Sequence, residues 1–169
     1  LLAAHAQVRQ VYPELQLILA GRIRPPQRAR LQQQIRALGL QEHALLAGWV
    51  TPGELVRLYR TAEALVFPSL YEGFGLPPLE AMACGCPVVA SSASAVPEVS
   101  GAAAVFFDPE DAGDMARAIV AVLSSPGERE RLIRLGLERA LQYTWQETAA
   151  RTYRVYRGCY QKPGLEAGL

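Results

Sequence analysis

Apolar residues gather along this chain in short runs, each closed by glycine or proline and each followed by a stretch with helical spacing. The opening, Leu1 to Tyr12, reads as an amphipathic helix already under way, with no capping residue before it. A start of that kind predicts a fragment of a longer protein. After Pro13, the run Leu15 to Gly21 suits a buried parallel strand closed by glycine. Arg28 to Leu38 is predicted helical, with Gly39 in the position that ends helices. The alternation then repeats. Ala44 to Trp49 reads as a strand, and Thr51 caps a helix from Pro52 to Thr61, with proline at the favoured first position. Ala64 to Phe67 is the next strand, halted by Pro68-Ser69. A Gly/Pro-rich loop leads to a helix around Leu79 to Ala83, followed by a strand Pro87 to Ala90 and a single helical turn Val96 to Val99. Val105 to Phe107 is the last strand. Helices follow from Asp111 to Leu123, from about Gly127 to Gln142, and from Thr144 to Tyr160.

Strand–helix alternation with near-continuous apolar strands predicts an α/β fold, a Rossmann-like doubly wound parallel sheet. Ligands of such sheets bind beyond the carboxyl ends of the strands, here just after Leu19, Gly48, Phe67, Val89 and Phe107. The expected organisation is one domain over residues 1–160 and a flexible tail over 161–169, where two glycines and a proline predict fraying.

Composition narrows the partners. Seventeen basic residues against sixteen acidic ones give a net charge of +1, which offers no electrostatic footprint for nucleic acid. The Arg-rich tract Arg22 to Arg36 reads as a loop and helix with a solvated face, and a diphosphate contact at Arg22 or Arg24 is the lesser alternative. His5 and His43 read as surface residues and Trp49 as core. Three cysteines show no disulfide or zinc spacing. Cys84 and Cys86 fall in an apolar run and read as small buried side chains, consistent with a reducing, cytoplasmic compartment. No apolar stretch reaches the roughly 18 residues of a membrane span, so any membrane association is expected to be peripheral.

The candidate chemistry sits in the loop after the third strand, Pro68-Ser69-Leu70-Tyr71-Glu72-Gly73-Phe74-Gly75-Leu76-Pro77-Pro78-Leu79-Glu80. Gly73 and Gly75 permit backbone angles closed to other residues and let a ligand approach the main chain. Pro77 and Pro78 carry no N–H, so donors aimed at an anion must come from Gly73 to Leu76 and from Leu79. A helix N-terminus behind such a loop favours a diphosphate. Glu72 and Glu80, with Glu80 expected in the first helical turn, would repel phosphates and must face neutral hydroxyls. A carboxylate complements a vicinal diol, and a nucleotide sugar has one diol at each end. The bland alternative is a helix-favouring Glu80 and a solvated Glu72.

The segment Glu72 to Ser91 resembles the E-x7-E signature of the retaining GT-B glycosyltransferases of family 4. Flanking segments agree in order: Leu17 to Gly21, Leu46 to Val50, Val66 to Ser69, Pro97-Glu98-Val99 and Tyr143-Thr144-Trp145. The resemblance implies the C-terminal, donor-binding half of a GT-B fold that lacks its first strand. It implies Glu72 at the donor hexose as the catalytic-site carboxylate, with the amides of Gly73, Phe74 and Gly75 beside it. Leu76 would give its amide to the phosphates, Glu80 would bind the ribose hydroxyls, and Val50 would contact the nucleobase through its backbone. Family members carry a Gly-Arg…Lys loop after that first strand and an N-terminal acceptor domain, neither of which is present, so this stretch alone is expected to be inactive. No cofactor and no metal are implied, and no Asp-x-Asp pair occurs.

The expected activity is transfer of a hexose from a GDP- or UDP-sugar to a hydroxyl acceptor, with retained configuration. Ser94 to Glu98 is similar to the matching loop of bacterial mannosyltransferases of polysaccharide assembly, which favours GDP-mannose. Two rivals stand beside this reading. One is a non-catalytic nucleotide-binding module of the same fold. The other, a dinucleotide-dependent dehydrogenase, lacks the Gly-x-Gly-x-x-Gly turn after a first strand.

Overall fold

A computed structural model describes residues 1–160; the tail expected at 161–169 lies outside the described residues. Five strands, β1 (Leu17–Ala20), β2 (Ala44–Gly48), β3 (Leu65–Phe67), β4 (Val88–Ser91) and β5 (Ala104–Phe107), alternate with eight helices. The helices are α1 (Leu2–Val8), α2 (Pro25–Ala37), α3 (Pro52–Thr61), α4 (Leu76–Ala83), α5 (Val96–Ser100), α6 (Ala112–Leu123), α7 (Pro126–Ala140) and α8 (Trp145–Tyr160).

All strand pairs are parallel, as the alternation predicts, but hydrogen bonding divides them into two sheets. β1 pairs with β2, and β3, β4 and β5 pair in that order. β1 and β3 therefore each keep one unpaired edge. The central strand β4 is buried along its whole length and alternates between two layers. Val88 and Ala90 face Tyr59, Leu79, Met82, Val96 and Val99 of α3, α4 and α5. Val89 faces Ala4 and Val8 of α1, Met115, Ile119 and Val122 of α6, and Leu132 of α7. The β1–β2 pair departs from the expected buried strands. Leu17, Leu19, Ala44 and Leu46 pack on α1 and α2, while Ile18 and Leu45 on the opposite face are 44% and 59% exposed.

Helix starts follow local chemistry. Thr51 caps α3 by accepting from the Glu54 amide at 3.3 Å, and Glu54 accepts from the Thr51 amide at 2.7 Å. Asp111 accepts from the Gly113 and Asp114 amides, capping α6. The boundaries of α2 and α1 differ from expectation. Pro25 and Pro26 start α2 three residues before Arg28, because a fixed φ favours the first helical turn. α1 ends at Val8 rather than Tyr12, and Arg9 folds over the turn to donate to the Pro13 carbonyl at 3.0 and 2.8 Å.

α7 lies close against α4 at Gly136: a Cβ there would stand 3.0 Å from Met82 Cγ, so the Met82 side chain would have to shift by a few tenths of an ångström. α8 buries none of its residues and leaves Trp145, Tyr153, Tyr156 and Tyr160 exposed. No helix of the described residues is long and apolar enough to cross a membrane.

Candidate donor site at the ends of two parallel strands

β3 and β4 run side by side in register, Phe67 beside Ala90, so the loops after their carboxyl ends emerge together. The first loop, residues 68–75, carries Glu72. The second, residues 92–95, returns to α5. They are joined through Ser94, whose Oγ donates to the Glu72 carbonyl at 2.7 Å and accepts from the Glu72 amide at 3.2 Å. Ser94 is also the one non-glycine residue with positive φ, +60°, among the described residues. A second serine fixes the carboxylate itself: Ser69 Oγ lies 2.9 Å from Glu72 Oε1 as its donor.

Helix α4 starts at Leu76, three residues earlier than the sequence suggests, with Gly75 as its N-cap at φ +87°. Only this glycine of the loop adopts a positive φ; Gly73 does not, contrary to the expectation for both. Gly75 is buried, and a Cβ there would meet Phe67 and Val96 at 3.7 and 3.8 Å, ordinary contact distances. The position thus excludes other residues through backbone conformation rather than through space. Among the described residues, the amides of Gly73, Phe74, Gly75 and Leu76 have no protein acceptor. The next two residues, Pro77 and Pro78, have no amide to offer. Four unspent donors lead into the N-terminus of α4, where the helix dipole adds positive potential, an arrangement that holds anions.

Early initiation of α4 moves Glu80 out of the first turn, where the sequence reading put it, into the second. It is exposed, so apolar flanks do not force it to find a partner. It has one nevertheless, because the Tyr59 hydroxyl of α3 donates to Glu80 Oε2 at 3.4 Å. The Tyr59 ring is buried, and burial first, then the Glu80 charge, push its phenol well above the usual range. It therefore stays a donor at any physiological pH. Glu72 is half-buried.

Phe74 and Leu76 are exposed between these carboxylates. The Phe74 ring meets Tyr143 edge-to-face, centroids 5.5 Å apart. Arg139 lies over the Tyr143 ring, donates to its hydroxyl at 2.8 Å, and donates to the Glu98 and Val99 carbonyls at the end of α5. This brace ties the loop to α5 and α7. Val50, half-buried, follows the carboxyl end of β2. Its neighbour Trp49 is 67% exposed rather than core, and it lies just past the last β2 residue. His5 is likewise corrected: it lies on the buried face of α1, with Nε2 3.1 Å from the His43 carbonyl, and burial lowers its pKa. Cys86 is buried and its thiol is pushed up to about 11, whereas Cys84 is half-buried. The arginines of the 22–36 tract are exposed, as a solvated face requires. No cluster of metal ligands occurs among the described residues.

Sequence reasoning missed Ser69, Ser94, Tyr59 and the Arg139–Tyr143 brace. A buried tyrosine on an amphipathic helix was a legible sign that its hydroxyl needs a partner. The Ser94 contacts left no such sign, because they join residues 22 positions apart.

Residues 1–139 match the sequence model of the family described as glycosyl transferases group 1. The chain is 35% identical over 145 residues to the serotype-specific mannosyltransferase WbdA of Escherichia coli, covering 85% of this chain and 17% of that protein. It is 38% identical over 160 residues to the MMP alpha-(1->4)-mannosyltransferase of Mycolicibacterium hassiacum, covering 92% of this chain and 38% of that protein. The structure of Anabaena HepE in complex with UDP and glucose superposes with a TM-score of 0.80 at 24% identity, over 91% of this chain and 44% of HepE. That likeness shows the GT-B α/β fold. The chain spans less than half the length of each of these proteins.

Proposed function

The chain belongs to the glycosyl transferases group 1 family, and from that premise we propose that it binds the nucleotide diphosphate sugar from which its full-length enzyme transfers a hexose to a hydroxyl acceptor. The observation that carries the reading is the row of unspent amides from Gly73 to Leu76, flanked by Glu72 and Glu80. In this reading the amides take the diphosphate, Glu72 accepts from hydroxyls of the hexose, and Glu80 accepts from the ribose diol, with Val50 at the base. As the glycosidic bond breaks, charge grows on the leaving diphosphate, and fixed N–H donors favour it most at that moment. Retention of configuration, the absence of a metal requirement and mannose from GDP-mannose belong to the same proposal. Two relatives named as mannosyltransferases support the sugar, and the UDP in HepE keeps a uridine donor as the alternative to test beside it.

In the same reading, transfer draws on a second, acceptor-binding domain of the full-length enzyme. The unpaired edges of β1 and β3 suit a further parallel strand between them, and the exposed aromatic face of α8 suits a neighbouring acceptor domain. Three free thiols fit a reducing, cytoplasmic setting.

The test is a pair of variants in the full-length enzyme. Glu80→Ala should weaken nucleoside diphosphate and nucleotide sugar alike, each lost hydrogen bond to the charged group contributing about 1.5–3 kcal/mol. Glu72→Ala should spare nucleoside diphosphate affinity and lower turnover. Equal loss of nucleoside diphosphate affinity in both variants, read by calorimetry, contradicts these roles.

A further inference from the structure

Resting on the assignment of Glu72 to the donor hexose, we infer that Ser94 is a positioning residue, the peg that sets the angle at which Glu72 presents its carboxylate. Ser94 holds φ at +60°, a left-handed conformation that an L-residue adopts only with strain and that glycine adopts freely. A turn alone would be better served by glycine. Burial does not account for the serine either, since its side chain is exposed and packs in no core cluster.

What serine adds is one hydroxyl, and both hydrogen bonds it makes go to a single residue. It donates to the Glu72 carbonyl at 2.7 Å and accepts from the Glu72 amide at 3.2 Å, gripping both backbone groups of the same amino acid. Two bonds to one residue fix its rotation as well as its position. The peg is itself held, because Ser91, buried at the end of β4, accepts from the Ala93 amide at 3.0 Å and anchors the loop that carries Ser94. Ser69 then orients the carboxylate from the other side. The strained serine thus transmits the rigidity of the buried β4 strand to a carboxylate on the neighbouring loop. Such strain at a site whose geometry is over-determined marks pre-organisation.

Two variants of the full-length enzyme separate this role from turn formation. Ser94→Gly removes the hydroxyl and the strain; Ser94→Ala removes the hydroxyl and keeps the strain. Both should lower kcat by about 10- to 100-fold, the effect of misplacing a reacting-centre contact, and both should lower nucleoside diphosphate affinity by a smaller factor, because of the amides assigned to the diphosphate only that of Gly73 shares the peptide group that Ser94 holds. Hydrogen exchange at the Glu72 amide should quicken in both, while Ser94→Gly melts no lower than the parent and Ser94→Ala melts lower. A Ser94→Gly enzyme with parental kcat overturns the inference, as does parental Glu72 amide protection in either variant. Glu72→Ala, assayed alongside, keeps the two levels apart. If Glu72→Ala loses turnover while Ser94→Gly does not, only the role of Ser94 fails. If Glu72→Ala turns over normally, the assignment of Glu72 fails and that of Ser94 with it.

Discussion

Replacing Gly75 by alanine adds one methyl group at the N-cap of α4 and separates a diphosphate cradle from an ordinary turn. The methyl itself has room, with Phe67 and Val96 at 3.7 and 3.8 Å, so no clash contributes. The cost is the backbone: holding an L-residue at φ +87° costs about 1–2 kcal/mol. For a chain of this size that corresponds to a fall in Tm of about 2–8 °C. Any relaxation of φ rotates the peptide groups between Phe74 and Leu76, and with them the amides proposed to hold the diphosphate. We therefore expect both a lowered Tm and a loss of nucleoside diphosphate affinity of about tenfold or more, equivalent to about 1.4 kcal/mol. Gly85→Ala is the control. It has a comparable φ of +74° and room for a Cβ, with Ile133 at 3.9 Å, but it lies beyond the other end of α4. It should lower Tm similarly and leave binding intact. Calorimetry beside thermal melts on the full-length enzyme reads both quantities. A Gly75→Ala variant with lowered Tm and an unchanged isotherm refutes the cradle.

Further outcomes follow from the same contacts. Tyr59→Phe keeps the buried ring and removes the donor to Glu80, so stability should change by no more than about 0.5–1.5 kcal/mol while nucleotide affinity falls severalfold, measured by melts and titration. Burial holds the His5 pKa below its ordinary 6.5, so the unfolded chain binds the extra proton. Stability should fall as pH drops from 6.5 toward the lowered folded value, and His5→Gln should flatten that slope in pH-dependent melts. The lowered carboxyls of Glu54, Asp111 and Glu128 act in a separate window, with stability lost as pH falls below about 4.5. The 169-residue chain alone should transfer no sugar from GDP-mannose or UDP-glucose to any added acceptor; detectable turnover by the purified chain would show that no further domain is needed.

The parallel α/β architecture was legible because glycine or proline closes the apolar runs, as at Gly21, Pro68 and Pro109. The loop with Glu72 and Glu80 was legible because its glycines and prolines limit which amides can donate. What stayed hidden depends on distant neighbours. The division into two sheets depends on which strand edges find partners. Trp49 looks like core by composition yet is exposed, whereas His5 looks like surface yet is buried, with Nε2 3.1 Å from the His43 carbonyl. The start of α4 was placed late because two prolines after Leu76 resemble a loop, although both fit the first turn of a helix.

The central claim concerns four backbone amides, and amide-resolved NMR reads them directly. Nitrogen-15-labelled full-length enzyme would be titrated with GDP-mannose and, separately, with UDP-glucose. The account predicts that the resonances of Gly73, Phe74, Gly75 and Leu76 move together to a saturating end point with one of these donors, with the downfield shifts of newly formed hydrogen bonds. Saturable binding whose largest shifts fall elsewhere, leaving these four amides unmoved, would contradict it.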